Sequence, residues 1–210
     1  MMVKICGITN REDALAAAEC GAGALGFNFF ARSPRYIPPE QAAEIIAGLP
    51  RDVCKVGVFV NAAPEEILRV RLAAGIDVAQ LHGDEPPQAV PRKTRVWKAF
   101  RVEADFTPAR LEQFDVEAFL LDAPTQDYGG SGRTFEWSKV VDKTGGLSRR
   151  WKVILAGGLD DTNVRDAIRL VRPWGVDACS RLETAPGRKD HARVARFVSA
   201  ALSEEVEWSQ

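Results

Sequence analysis

Several side chains suited to proton transfer stand at the ends of short apolar runs along the chain. Cys6 ends the first run, Gln80 and His82 stand at the end of the fourth, and Asp122 directly follows the sixth. A thiol beside a glycine and near a helix N-terminus loses its proton more easily than a free thiol. A carboxyl that follows three apolar residues is poorly solvated, which favours the protonated form. These residue types indicate an acid and a base, provided that the fold brings them together.

Each of these side chains also has an ordinary structural interpretation. Cys6 could be a small core residue that closes the top layer of a barrel, and its position alone does not separate the two interpretations. His82 could be one hydrogen-bonded histidine at a strand end. Asp122 could be a turn or helix-capping aspartate.

A second group of residues is suited to binding anions. Arg35, in the loop after the second run, can bind a carboxylate with two nitrogens, although isolated loop arginines are usually solvated. The pairs Gly157–Gly158 and Ser180–Arg181 follow the seventh and eighth runs, where backbone N–H groups and helix N-termini form phosphate sites. The glycine-rich loop around Gly129–Gly130 is typical of a mobile lid or an anion-binding loop.

The elements that must position these residues are eight apolar runs that alternate with amphipathic segments. The runs are Val3–Cys6, Ala24–Phe29, Lys55–Val60, Val78–Leu81, Val96–Phe100, Ala118–Leu121, Lys152–Ala156 and Val176–Cys179. They are nearly continuous, which is typical of strands covered on both faces in a parallel sheet. In an eight-stranded barrel the active site forms at the carboxyl ends of such strands.

The segments between the runs carry helical signals. Apolar residues recur at i, i+3, i+4 and i+7 in three of them, starting at Ala42, Val164 and Val194. The pair Thr9–Asn10 stands where a helix cap is expected, and Pro64 with two acids opens another helix.

Eight strands and roughly eight helices, the fifth of them weak around Pro108–Phe114, predict one (β/α)₈ TIM barrel of the α/β class. The predicted domain covers residues 1–210, with 204–210 as a frayed tail. An open doubly wound sheet is the alternative, because periodicity alone does not show closure.

The composition limits the classes of molecule that the protein is expected to bind. The 210 residues carry a net charge of -1, which gives no electrostatic case for nucleic acid or an anionic membrane. Four scattered cysteines and two histidines show no zinc-ligand spacing, so no metal site is predicted. The absence of a signal peptide and of a long apolar run predicts a reduced, cytoplasmic protein.

With these residues assembled, the chain resembles the phosphoribosylanthranilate isomerase family over nearly its whole length. The matching segments are Lys4–Thr9, Gly26–Phe29, Ser33–Tyr36, Val56–Asn61, Gln80–Glu85, Leu120–Asp122, Gly129–Phe135, Ala156–Leu159, and Glu183 with Pro186–Asp190. The first segment and the Gln-Leu-His-Gly stretch are specific to that family.

The resemblance implies an Amadori rearrangement of N-(5-phosphoribosyl)anthranilate to its 1-deoxyribulose isomer in tryptophan biosynthesis, with no cofactor. By position, Cys6 resembles the family's general base, Asp122 its general acid and Arg35 its clamp on the anthranilate carboxylate. The backbone at Gly157–Gly158 and around Ser180–Arg181 resembles its phosphate site. The expected partner is thus a small phosphosugar, bound by a monomer or homodimer.

One segment departs from the family pattern. The family usually has Ser-Ser-Gly after the eighth strand, where this chain has Cys179, Ser180 and Arg181. Loss of the glycine removes backbone freedom useful for close approach to a phosphate. We hypothesise that Arg181 supplies its own charge to the phosphate instead.

Other functions stay open at this point. The histidine-pathway isomerase performs the same rearrangement, but that family resembles a duplicated half-barrel with two phosphate sites and a carboxylate pair. A phosphosugar-binding protein without activity would not need Cys6 and Asp122, and a purely structural barrel would leave Arg35 unexplained. The sequence names no neighbour that would hold Cys6 as a thiolate.

Overall fold

Eight parallel strands close into a barrel in the computed structural model, which describes residues 1–103, 105–122 and 150–204. Each strand pairs with the next along the chain, and the eighth pairs with the first. The strands are β1 Met2–Cys6, β2 Ala24–Asn28, β3 Cys54–Phe59, β4 Val78–Leu81, β5 Arg95–Arg101, β6 Ala118–Asp122, β7 Val153–Ala156 and β8 Gly175–Ala178. This closure confirms the predicted barrel and excludes the open sheet.

The two faces of each strand differ in what they bury. In β1, Val3 and Ile5 pack outward into the apolar layer beneath the helices, whereas Lys4 and Cys6 point into the barrel, because side chains alternate along a strand. The apolar part of the interior comprises Ala24, Val56, Val78, Trp97, Ala99, Ala118, Leu120, Ile154 and Ala156. Strands buried on both faces explain why the apolar runs in the sequence are nearly continuous.

Five α-helices lie in the described part of the chain: α1 Arg11–Glu19, α2 Pro39–Ile46, α3 Pro64–Ala74, α4 Val164–Val171 and α5 His191–Leu202. Asn10 caps α1, since its side chain accepts a hydrogen bond from the Asp13 amide. Pro64 occupies the first turn of α3, as its sequence predicts.

Two of the expected helices are absent from their connections. Among the residues that the structure describes, the segment after β4 contains only a 3-10 turn at Pro87–Ala89, and that after β5 only a 3-10 helix at Pro108–Gln113. Adjacent prolines at Pro86–Pro87 remove two backbone donors, which is unfavourable for a longer helix there. The prediction of roughly eight helices was therefore wrong in these two connections.

A short hairpin follows β8 and lies over the end of β1. Its strands are β9 Glu183–Ala185 and β10 Arg188–Lys189, which pair antiparallel. The Lys189 amide donates to Asp13 of α1 at 2.8 Å, which fastens the hairpin to the first helix. No helix among the described residues is long and apolar enough to span a lipid bilayer. Most of the tail predicted to fray lies outside the described residues, so the domain boundaries stay a prediction.

Candidate active site

Two thiols meet where the last strand pairs with the first. In the β1–β8 register Ile5 lies opposite Ala178, so Cys6 and Cys179 are the next residues along the two strands. The Cys179 thiol donates a hydrogen bond to Cys6, which lowers the pKa of Cys6 well below its ordinary value; burial opposes this, and the Lys4 and Lys189 ammonium groups reinforce it. Cys6 is only half-buried and is not in a disulfide. A reactive thiolate is therefore favoured at this position.

The surroundings of the two thiols favour ionisation of Cys6 over that of Cys179. Cys179 Sγ lies 3.9 Å from a carboxylate oxygen of Glu183, and a nearby anion disfavours a second negative charge. Its hydrogen bond to Cys6, with burial, raises the pKa of Cys179 well above its ordinary value.

An ion pair lies one layer below the thiols. Lys4 Nζ is 2.9 Å from Asp177 Oδ1, the Lys4 side chain is fully buried and that of Asp177 is 9% exposed. Burial alone would lower the pKa of Lys4, but the charges of Asp177 and Cys6 raise it above its ordinary value. Burial raises the pKa of Asp177 to about 7, with the charge of Lys4 acting in the opposite direction.

Above the thiols, Glu183 joins two cations. Its carboxylate accepts from Arg35 Nε and Nη2 and from Lys189 Nζ, the last at 2.8 Å. The hydrogen bond with Glu183 raises the pKa of Arg35, although burial opposes this effect. Lys189 Nζ also lies 3.8 Å from Cys179 Sγ. Arg35 is thus held at the rim of the barrel with its guanidinium oriented by a buried carboxylate.

Asp122 stands on β6 in a more polar setting than its apolar sequence neighbours suggest. Its side chain is 27% exposed, and Oδ2 lies 3.3 Å from His82 Nε2. The other ring nitrogen, His82 Nδ1, lies 2.9 Å from Gln80 Nε2. When that amide donates to Nδ1, the neutral ring carries its proton on Nε2, facing Asp122. Gln80 is itself buried, so it orients the ring from inside the barrel.

The loop that carries His82 is fastened by a second buried ion pair. Lys98 Nζ lies 2.8 Å from Glu85 Oε2, and it also donates to the Gly83 carbonyl at 2.7 Å. Glu85 in turn accepts from the backbone amides of Asn61 and Gly83. These bonds fix the backbone immediately after His82.

The region after β7 and β8 has the features of an anion site. Gly157 and Gly158 both have positive φ, 91° and 66°, a conformation that side chains disfavour and that leaves the backbone accessible. Ser180 and Arg181 lie in a 3-10 turn after β8. Arg181 Nη1 is 2.6 Å from Asp160 Oδ2, so part of its charge is directed at that carboxylate.

The structure therefore gathers most of the predicted residues at the carboxyl ends of the strands. Gly129 and Gly130 lie outside the described residues. Sequence reasoning missed the charged partners of the site: Lys4, Asp177, Glu183 and Lys189. The signals available were that Lys4 shares a strand face with Cys6, and Asp177 with Cys179.

Comparison with known proteins gives a consistent result. The sequence profile of the N-(5′-phosphoribosyl)anthranilate (PRA) isomerase family matches residues 3–200. The chain is 46% identical over 202 residues to an N-(5′-phosphoribosyl)anthranilate isomerase of Solibacter usitatus, covering 96% of this chain and 97% of that protein. It is 49% identical over 203 residues to that of Geobacter sulfurreducens, with 95% and 97% coverage.

Solved structures resemble the barrel as a whole. The phosphoribosyl anthranilate isomerase of Thermotoga maritima superposes with a TM-score of 0.86 at 42% identity, over 97% of this chain and 100% of that one. A phosphoribosyl anthranilate isomerase in complex with reduced 1-(o-carboxyphenylamino)-1-deoxyribulose 5-phosphate superposes with a TM-score of 0.82 at 39% identity, over 97% and 100% of the two chains.

Proposed function

The chain belongs to the N-(5′-phosphoribosyl)anthranilate isomerase family, and on that premise we propose which of its residues carry out the reaction. It is an isomerase that acts on N-(5′-phosphoribosyl)anthranilate in tryptophan biosynthesis. The product is 1-(2-carboxyphenylamino)-1-deoxyribulose 5-phosphate. The reaction moves hydrogen between two carbons of the sugar, so it needs an acid and a base but no change of oxidation state in the enzyme.

Asp122 is the general acid of the proposed mechanism. It donates a proton to the ribose ring oxygen as the C1′–O bond breaks, and the anthranilate nitrogen lone pair forms the C1′=N bond of a protonated Schiff base. His82, 3.3 Å from the Asp122 carboxyl, is suited to orient that group.

Cys6 is the general base. Its thiolate takes the proton from C2′, which the adjacent iminium acidifies; the electrons of the C–H bond form the C1′=C2′ bond of an enolamine, and the π electrons of the C1′=N bond return to nitrogen. The enolamine then gains a proton at C1′ and loses one from the C2′ hydroxyl, which gives the amino ketone. The observation that carries the proposal is the thiol-donor and ammonium surroundings of Cys6, which favour its thiolate.

The remaining predicted residues bind the two ends of the substrate. Arg35, oriented by Glu183, binds the anthranilate carboxylate. The pairs Gly157–Gly158 and Ser180–Arg181 bind the phosphate, with the Arg181 guanidinium positioned by Asp160. The resemblance assigns Gly129 and Gly130, which lie outside the described residues, to substrate binding as well, and Gln80 acts through His82.

The wider setting of the enzyme follows from this chemistry. Proton transfers alone complete the reaction, so we assign no cofactor or metal. The partner is the small phosphosugar substrate, with no nucleic acid or membrane. A thiol base is maintained in a reducing compartment, which supports a cytoplasmic location. A homologous enzyme from Thermotoga maritima is described as dimeric, and we propose a monomer or homodimer here.

The test uses purified full-length protein and N-(5′-phosphoribosyl)anthranilate. Turnover is followed by the loss of anthranilate-type fluorescence for the wild type, Cys6→Ser and Asp122→Asn. We expect each substitution to lower kcat by about 10²–10⁴-fold with little change in KM. Cys20→Ser, at the half-buried cysteine that caps the C-terminus of α1, is the matched control. Full activity in Cys6→Ser would remove Cys6 from the mechanism while leaving the reaction in place.

A further inference from the structure

Cys6 and Lys4 occupy one space inside the barrel, next to Gly26 of β2. A methyl carbon on Gly26 would lie 2.8 Å from Cys6 Sγ and 3.0 Å from Lys4 Nζ. The sulfur and the ammonium group therefore both lie at the place left free by the missing side chain. Lys4 is fully buried, so solvent screens its charge less than it would at the surface.

We propose that Lys4 is a positioning residue that holds the Cys6 sulfur as a thiolate, and that Asp177 competes with Cys6 for the same charge. This inference rests on the proposed role of Cys6 as the base. A buried ammonium is stable only with a nearby anion, and here two anions can serve: the Asp177 carboxylate at 2.9 Å and the Cys6 thiolate. When the Asp177 carboxylate is protonated, the charge of Lys4 stabilises the Cys6 thiolate more strongly.

The setting of Asp177 suits this competition. Burial and the nearby charges of Cys6 and Asp122 raise the pKa of Asp177, so that it is partly protonated near neutral pH. In that state Lys4 retains its full charge, which then stabilises the thiolate. The triad of Lys4, Asp177 and Cys6 thus shares one positive charge between two acids.

The other charged groups around Cys6 form ion pairs above it. Arg35 and Lys189 both bind Glu183, and Lys189 Nζ contacts the sulfur of Cys179 at 3.8 Å. Asp122, on β6, has His82 at 3.3 Å. Lys4 is the cation that approaches Cys6 from below, inside the barrel and away from the substrate.

The experiment measures the pH dependence of Cys6 ionisation directly. The rate at which iodoacetamide alkylates Cys6 is followed across pH by peptide mass spectrometry, which separates Cys6 from the other three cysteines. The acid limb of kcat/KM is measured beside it. Lys4→Met should move both profiles to higher pH by about one unit or more and lower kcat at neutral pH, with KM nearly unchanged. Asp177→Asn should move both profiles to lower pH, because Lys4 then has Cys6 as its one remaining anion in the triad.

Lys98→Met is the control for the general cost of losing a buried lysine. Lys98 lies on β5, paired with Glu85, and its loss should lower stability without moving the alkylation profile of Cys6. Lys4→Met leaves Asp177 as an uncompensated buried acid, so the double variant Lys4→Met/Asp177→Asn is made as well. If circular dichroism shows that the single variant is unfolded, the double variant is compared with Asp177→Asn, relative to which its profiles should move to higher pH.

The outcomes separate this inference from the proposed function. A Lys4→Met profile equal to that of the wild type, or a double-variant profile equal to that of Asp177→Asn, would overturn the role of Lys4, even if Cys6→Ser is inactive. Shifts in the same direction for Lys4→Met and Asp177→Asn would overturn the competition. Full turnover by Cys6→Ser would overturn the base assignment itself and with it the inference.

Discussion

The Glu183 carboxylate accepts hydrogen bonds from two nitrogens of the Arg35 guanidinium, with Nε 2.9 Å from Oε1 and Nη2 2.6 Å from Oε2. The two residues are 148 positions apart in the chain, and the contact joins the loop after β2 to the hairpin after β8. The guanidinium is thereby presented in one orientation, which reduces the entropy lost when it binds a carboxylate.

Arg35→Met should therefore raise KM by about tenfold or more, the equivalent of roughly 1.4 kcal/mol, with a smaller effect on kcat. Arg35→Lys keeps the charge but not the two-nitrogen contact, so its KM should lie between the KM of Arg35→Met and that of the wild type. Steady-state kinetics check this, with the exposed Arg32→Met as a control from the same loop. Equal KM values in Arg35→Met and Arg32→Met would contradict the carboxylate role.

Arg181 lies in the turn after β8, and its guanidinium contacts Asp160 at 2.6 Å. If it contributes charge to the phosphate site, Arg181→Gly should raise KM about tenfold and weaken competitive inhibition by inorganic phosphate. Asp160→Asn should have the opposite effect on phosphate inhibition, because it removes an anion from the same place. No rise in KM in Arg181→Gly would show that the backbone alone binds the phosphate.

Gly26→Ala tests the shared space of Lys4 and Cys6. The added methyl group would be 2.8 Å from Cys6 Sγ, closer than atoms in proteins normally approach, so the sulfur or the strand must move. We expect a loss of about 1–3 kcal/mol in stability and a large fall in kcat. Denaturant titration and kinetics measure the two effects. Gly48→Ala serves as the control, because its methyl group would meet only the mobile end of Arg11. Wild-type kcat in Gly26→Ala would contradict the packing described here.

Asp13 provides a prediction for the pH dependence of stability. Burial alone would raise the pKa of Asp13, but hydrogen bonds from the Lys189 amide, Asn10 and His191 lower it below its ordinary 3.8. Since the folded value lies below the unfolded one, the stabilisation is complete above about pH 4 and is lost as the pH falls through the folded pKa.

Asp13→Asn should thus lower the free energy of unfolding by about 1–3 kcal/mol at neutral pH and by much less near pH 3. Urea titrations at both pH values check this, with the exposed Asp52→Asn as a control. A deficit in Asp13→Asn that stays constant down to low pH would refute the charged role of Asp13.

The strands could be predicted from the sequence because burial on both faces leaves a direct pattern. All eight runs lie within one residue of the observed strands at each end. The helices were harder, since the connections after β4 and β5 contain only 3-10 structure at Pro87–Ala89 and Pro108–Gln113. A crossover between parallel strands needs enough residues to return along the barrel and side chains that cover the strands. Neither requirement needs a full α-helix.

The candidate site was predictable only in part, because its electrostatics depend on partners far apart in sequence. Cys6, Asp122 and Arg35 stand where strand ends predict chemistry. The pair of Lys4 with Asp177 spans 173 residues, and no local pattern indicates that a lysine in an apolar run has its partner on the last strand. Closure of the barrel is what creates that contact, and periodicity does not show closure.

The pairing of β8 with β1 also has a consequence for synthesis of the protein. Cys6 is synthesised near the start of the chain. Three of the residues around it, Asp177, Cys179 and Lys189, are synthesised some 170 to 180 residues later. A nascent chain can pair its early strands in order, yet Cys6 gains its full set of neighbours only when the final strand completes the ring. A chain halted before β8 would lack the Cys179 donor and the Lys189 ammonium group, which leaves Lys4 as the one group among these that lies beside Cys6.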